Sequence, residues 1–226
     1  MKSTEPSAIA EQHTPKKRRK GRPSTLDENV GREKIIATAI ALLRNHKPGE
    51  ITQNLVASNA GVDPKLVRYY FGDLEGLMTT VLERLIDGLG MVMSKASTTG
   101  GTATERIRRR IRALTNYVVA NPNLWEMISD RVYASKTDWA KNVRAELTSS
   151  AYSRLQTVIE DGQRNGEFAE NIDTRFLYIA LIGLSEIFVT ARSIVDELMP
   201  GRRTSTENLY ADFIIDLVLR GIAKRP

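Results

Sequence analysis

The sequence contains no cysteine and only two histidines, His13 and His46. Without cysteine there can be neither a disulfide framework nor a thiolate metal site. With one histidine in a polar N-terminal stretch and the other in a predicted loop, a Ser-His-Asp triad or a clustered histidine metal centre has no material. No catalytic residue, metal or cofactor is therefore expected. Long apolar runs are missing too: no stretch of eighteen residues is free of charge, and the N-terminus lacks the apolar segment of an export signal. The expectation is a soluble cytoplasmic protein with no membrane partner.

What is present is a chain of 226 residues, 41% hydrophobic, enough for one large domain or two modest ones around a real core. Its 33 Lys and Arg exceed its 27 Asp and Glu, for a net charge of +6, a surplus that favours a polyanionic partner. About half of that surplus falls in the first 31 residues, where KKRRKGRPS puts six basic side chains between Lys16 and Arg22. Residues 1–30 hold almost no large apolar side chains, so they read as a basic arm that cannot offset the entropy of ordering.

From Arg32 onward the pattern changes. Ile35, Ile36, Ala39, Leu42 and Leu43 recur at helical spacing and stop near Asn45, before Pro48-Gly49. In the next stretch, ITQNLVASNAGVDPKLVRYYF, Thr52 can cap a helix carrying Leu55, Val56 and Ala60. Gly61 ends that helix, and Asp63-Pro64 starts another. Two short helices joined by about four residues that include glycine have the composition of a helix-turn-helix. Lys65 and Arg68 share one face of the second helix, whose free N-terminus suits a major groove, and arginine matches guanine O6 and N7. Val67 and Phe71 should face the core with Ile36, Leu55 and Val56.

Thr52, Val56-Ala57, Ala60-Gly61-Val62, Pro64, Tyr70-Phe71 and Leu77 together resemble the DNA-binding segment of the tetracycline-repressor (TetR) family, a likeness covering about residues 30–90. The resemblance implies an all-α fold: an N-terminal three-helix helix-turn-helix domain (31–90), then a larger helical effector-binding and dimerisation domain (91–226). It implies a sequence-specific transcriptional regulator, in the first instance a repressor that binds a palindromic operator as a homodimer and is released by a small-molecule effector. Within Thr52 to Phe71, it places Lys65, Leu66 and Arg68 where bases are read and Tyr69 and Tyr70 where phosphates are held, with Thr52 also among the DNA-binding residues. Two positions depart from the family pattern: Arg68 replaces a commonly aromatic residue, and Leu74 stands where many relatives carry a phosphate-binding lysine. Lys20-Gly21-Arg22-Pro23 resembles the core of an AT-hook, which would bring Lys20 and Arg22 to an A·T minor groove. The alternative is a DNA-bound architectural or partner-recruiting protein on the same fold, with a solid core and no effector.

The rest reads as helix. A helix from about Leu74 through Met93 contains Gly88 and Gly90 as expected points of flexure. Thr102 and Glu105 form a capping box, and the arginines at 106, 108, 109, 110 and 112 read as a solvated face. One long helix is expected from Trp139 to Gly162. Phe176, Ile179, Gly183, Ile187, Ala191 and Ile194 define a further helix, and Leu209, Phe213 and Leu217 the last. These two long helices are apolar on enough of their circumference to form the dimer. Residues expected around an effector are Trp125, Met127, Arg131, Tyr133, Trp139, Tyr152, Phe176, Glu186 and Phe188, with Arg131 needing Glu186 or an anion if buried.

Overall fold

A computed structural model describes residues 25–200 and 206–224. Within them the chain is all-α. Helix α1 (Thr25–Leu42) starts inside the segment assigned to the arm. The periodic apolar stretch begins only at Ile35, so periodicity gave no signal for the first turns. Helices α2 (Gln53–Ala60) and α3 (Pro64–Phe71) follow, and each has the predicted cap. Thr52 Oγ1 accepts from the Leu55 N–H at 3.1 Å, and Asp63 Oδ1 accepts from the Lys65 N–H at 2.8 Å. Gly61 turns the chain between them at φ 62°, a left-handed conformation that side chains rarely adopt. Ile35, Ile36, Ala39, Val56, Ala57, Ala60 and Val67 close the small core of these helices, with Phe71 packed on its edge.

Helix α4 (Leu74–Thr98) is the structural axis, 25 residues and about 37 Å long. Asp73 caps it by accepting from the Gly76 N–H at 2.8 Å. Leu77, Met78 and Val81 enter the first core, and Leu85 and Leu89 continue it into the second half of the molecule. The helix runs unbroken past residue 90, so the two expected domains share it.

Gly88 lies inside this unbroken helix and against a neighbour. A Cβ there would lie 2.5 Å from the Tyr117 hydroxyl, which donates to the Leu85 carbonyl at 2.7 Å. Gly88 is a notch that seats Tyr117, while Gly90 faces open space.

Helix α5 (Ala103–Ala120) packs along α4 and carries the predicted capping box, Thr102 with Glu105. Its first turn is capped a second time from far along the chain: the Glu167 carboxylate accepts from the Ala103 and Thr104 N–H groups at 3.0 and 2.9 Å. The neighbouring Phe168 is buried over Gly162, where a Cβ would sit 2.1 Å from the ring. Helix α6 (Leu124–Ile128) continues into a π-type turn, Ser129–Tyr133.

The long helix expected from Trp139 to Gly162 is α7 (Asp138–Glu146) and α8 (Tyr152–Arg164), joined by a π-type segment at Leu147–Ala151. Thr148 Oγ1 donates to the Arg144 carbonyl at 2.9 Å where the helix widens. The next expected helix is also two: α9 (Thr174–Thr190) and α10 (Arg192–Leu198), bent by 75°. No glycine or proline marks that break. Thr190 Oγ1 donates back to the Glu186 carbonyl at 3.0 Å, a competition with the backbone that bends helices. Helix α11 (Thr206–Ile222) closes the chain, and a second core gathers α5, α8, α9 and α11 around Ile107, Ile159, Phe168 and Ile215.

The arginines of α5 are not one solvated face. Arg106 pairs with Asp161 at 2.7 Å, and Arg109 donates to the Thr99 and Gly100 carbonyls beyond the end of α4. Arg110 is only 4% exposed and points inward. The stripe Ile107, Ile111, Leu114, Val118 hid this, because Arg110 lies three and four residues from Ile107 and Leu114 and so on the same face.

Candidate functional site

Two places bring sequence-predicted residues together, one on the surface and one inside. On the surface, Thr52, Gln53 and Asn54 at the start of α2 form a shallow concavity with Pro64, Lys65 and Arg68 of α3. Gln53 Nε2 donates to the Pro64 carbonyl at 2.7 Å and holds the two helix starts together. Both N-termini therefore open on one side, where N–H groups and the positive ends of the helices favour an anion. Lys65 and Arg68 are exposed on that side, and neither side chain has an ion-pair partner among the described residues. Two cations without ion-pair partners among the described residues, beside paired helix starts, are suited to a phosphate backbone and a base edge.

Leu66 is only half free. It packs against the core of the first helices, so its contribution to a reading face is limited to its outer edge. Tyr69 is 63% exposed and its ring meets that of Tyr70 edge-on at 5.1 Å. Tyr70 leans back on the core, its hydroxyl beside Gly31 of α1. Arg32 of α1 lies over the Phe71 ring at 5.3 Å. Lys20 and Arg22 lie outside the described residues.

Inside, a cavity of about 280 Å³ opens between α4, α5, α6, α8 and α9. Its walls are mainly Ile86, Leu89, Met93, Ile111, Leu114, Ile128, Leu155, Leu181 and Ile182, with Trp125, Tyr133, Tyr178, Thr148, Arg110 and Arg144 supplying polar atoms. Burial raises the Tyr133 and Tyr178 phenols above their ordinary values, and at Tyr133 the charge of Glu186 adds to it. Arg144 Nη1 donates to the Val132 and Ser135 carbonyls, which fixes the turn after α6.

Of the residues expected around an effector, Trp125 and Tyr133 line this cavity. The others do not. Tyr152 stacks edge-on against Tyr178 at 6.0 Å, one layer out. Phe188 is buried and stacks on Tyr210 at 4.4 Å, and Met127 is core. Trp139 donates to Glu83 at 2.6 Å in a separate surface cleft. Phe176 is 71% exposed, and Glu186 lies in another outer cleft. Arg131 does not pair with Glu186: it makes a two-pronged ion pair with Glu75 in the first turn of α4, its second contact at 3.0 Å. Helical spacing could not separate these cases, because inward and outward positions on α9 are equally apolar. Besides the aliphatic walls, the polar lining residues missed are Arg110, Arg144, Thr148 and Tyr178, and only their long-range packing places them.

Helix α6 lies between the cavity and the helices that flank α2 and α3. Trp125 and Ile128 face the cavity, while Asn123, just before the helix, donates to the Leu43 and His46 carbonyls at 2.7 and 2.8 Å at the end of α1. With Arg131 on Glu75, the α6 segment grips both the end of α1 and the start of α4, one residue pair after α3.

Comparison with known proteins agrees with this architecture. The chain is 24% identical over 203 residues to the HTH-type transcriptional repressor NicS of Pseudomonas putida, a match spanning 85% of this chain and 92% of that one. Among solved structures it resembles the ketosteroid transcriptional regulator KstR2 of Mycobacterium tuberculosis, with a TM-score of 0.67, 15% identity, and 86% and 95% of the two chains covered. It also resembles the regulator FadR of Bacillus subtilis in complex with stearoyl-CoA, with a TM-score of 0.63, 17% identity, and 84% and 98% covered. These structures share the fold. The family model for the tetracyclin repressor-like C-terminal domain matches residues 104–218, just over half of the chain. With a helix-turn-helix in front of that domain, the chain belongs to the tetracycline-repressor family of DNA-binding transcriptional regulators.

Proposed function

We propose that the protein is a homodimeric repressor that reads a two-fold symmetric operator with α2 and α3 and releases it when a small molecule fills the cavity of the second domain. The observation that carries this reading is the cavity itself, walled partly by α6 and joined through Asn123 and Arg131 to the ends of α1 and α4. A shift of α6 moves the start of α4 and with it α3. Two recognition helices must fit half-sites about 34 to 36 Å apart or a multiple of that, so a small rotation loses one of them. The architectural alternative requires a solid core, which the cavity disfavours. Lys65 and Arg68 are assigned to base edges, and Thr52, Tyr69 and Tyr70 to the flanking phosphates.

The dimer is assigned to the last two long helices, now α9 and α11. Phe176, Ile179 and Ile187 on one and Leu209, Phe213 and Leu217 on the other are exposed at intervals of three or four residues or multiples of them, forming an apolar stripe with Gly183 in open space at its middle. Such a patch favours a second copy of itself. Phe213→Glu should yield a monomer by sedimentation and lower operator affinity by about a hundredfold or more, since each half-site then binds alone. A variant that stays dimeric would overturn this interface. Fragment selection from genomic DNA should return an inverted repeat for the parent protein, and a sequence without two-fold symmetry would overturn the reading.

The basic arm is assigned a different task. Lys16 to Arg22 can neutralise several phosphates per subunit, each steepening the fall of log K with log salt by about 0.9. Removal of residues 1–24 should flatten that slope and leave the preferred half-site unchanged. If Lys20 and Arg22 enter a minor groove, the same truncation removes a preference for A·T flanks. An unchanged slope would leave the arm in solvent.

A further inference from the structure

The cavity is apolar by area but not by charge. Arg110, on α5, is 4% exposed and lines it. Its Nη1 donates to Ser97 Oγ, and its Nε has no partner among the described residues. Other arginines of α5 also leave Nε unpaired, but Arg106 has the carboxylate of Asp161, and Arg109 has two carbonyls near the surface. Arg110 has neither. Among the described residues no Asp or Glu lines the cavity, and the charge that acts most on Arg110 is that of another arginine, Arg154. Burial first, and Arg154 second, pull its pKa down to about 10, with the Tyr178 phenol opposing them, so the guanidinium keeps its charge at neutral pH.

A buried cation with no counter-charge is among the most costly arrangements a core can hold. The second unpartnered polar atom on the cavity wall is again a donor, the indole Nε1–H of Trp125. Thr148 and Tyr178 already use their hydroxyl protons on the Arg144 and Leu147 carbonyls. The wall therefore carries two arginines, Arg110 and Arg144, and no carboxylate among the described residues, with the unpaired Arg110 and Trp125 N–H groups buried beside it, and its missing complement is an acceptor with negative charge.

We infer that the effector is an amphipathic monoanion, a carboxylate on an apolar body, with the carboxylate at Arg110 and the body against the Leu and Ile walls. At the packing density of a protein interior, about 280 Å³ takes roughly a dozen non-hydrogen atoms. The inference deepens the proposed effector site and rests on it. It also gives Arg110 a role in release: the anion removes the unpaired charge, and its body presses on Trp125 and Ile128 of α6.

The test uses the full-length protein and isothermal titration with two matched pairs, octanoate against octanamide and 3-phenylpropanoate against 3-phenylpropanamide. Each pair keeps shape and changes charge. The acid of at least one pair should bind about tenfold or more tightly than its amide. Arg110→Met, which keeps much of the volume, should reduce that ratio to about twofold, and Arg110→Lys should retain most of it. Circular dichroism melts establish that both variants are folded. If the methionine variant does not fold, the lysine variant and the parent ratio carry the test. Equal binding of acid and amide would overturn the anion while leaving an effector cavity in place. Binding of none of the four, by protein that still holds operator DNA, would overturn the assigned class.

Discussion

The two functional regions carry arginine in opposite settings. On α3, Arg68 stands in solvent at the mouth of two helix N-termini, and its surroundings are local: a cap at Thr52, a cap at Asp63 and a glycine between them. On α5, Arg110 is buried, and its surroundings come from Ser97, Arg154 and Tyr178, which lie 13, 44 and 68 residues away in the chain. The first kind of site is written in short-range spacing because caps, turn glycine and exposed face are all fixed within about twenty residues. The second is assembled by packing between distant helices, and nothing in the neighbourhood of residue 110 announces it.

The largest effect that sharpens this contrast is expected at the surface. Arg68→Ala should cost about 1 to 3 kcal/mol at one symmetric pair of operator positions and relax selectivity there. It should leave carboxylate binding unchanged, whereas Arg110→Met should do the reverse. Competition binding on operators altered one base pair at a time measures the first effect. Uniform weakening on every sequence would reduce Arg68 to a phosphate contact.

The join between the regions is the next measurement. Glu75 and Arg131 lie 56 residues apart yet meet in a two-pronged ion pair, Arg131 mostly covered and Glu75 mostly exposed. An exposed carboxylate adds little to stability, on the order of 0 to 1 kcal/mol. Its expected value is in coupling. Glu75→Gln should lower the effector's influence on operator affinity by about twofold to fivefold, with each ligand's separate affinity nearly unchanged. Operator affinities taken with and without saturating effector give the ratio directly, and an unchanged ratio would remove this pair from the route between the sites.

The legibility of the fold divides along the same line. Helices α2 and α3, their N-caps and the stop at Gly61, the capping box of α5 and the existence of α11 followed from periodicity and cap residues. The break at Ala191 and the widened turns at Ser129–Tyr133 and Leu147–Ala151 did not, because no glycine or proline stands at any of them. Cavity residues were legible only where an aromatic happened to face inward, at Trp125 and Tyr133. Phe176 has the same composition signal and faces out, since α9 presents one apolar face to its own core and another to solvent.

The smallest expected effect separates a glycine kept for packing from one that is not. Gly88 and Gly90 lie two residues apart in the interior of α4, so the backbone gain on replacing either with alanine is the same, about 0.5 to 1 kcal/mol. Their surroundings differ. At Gly90 a methyl meets nothing within 4 Å, and Gly90→Ala should stabilise the protein by that full amount. At Gly88 it would lie 2.5 Å from the Tyr117 hydroxyl, forcing the phenol off the Leu85 carbonyl. Losing that half-buried hydrogen bond costs about 1 to 2 kcal/mol, which outweighs the helix gain, so Gly88→Ala should be net destabilising. Tyr117→Phe removes the obstructing oxygen, and on that background Gly88→Ala should recover part of the gain, with a non-additivity of about 1 kcal/mol in a double-mutant cycle. Equal stabilisation by both single alanines in urea titrations would mean that Tyr117 moves aside freely, and Gly88 would then not be a glycine kept for packing.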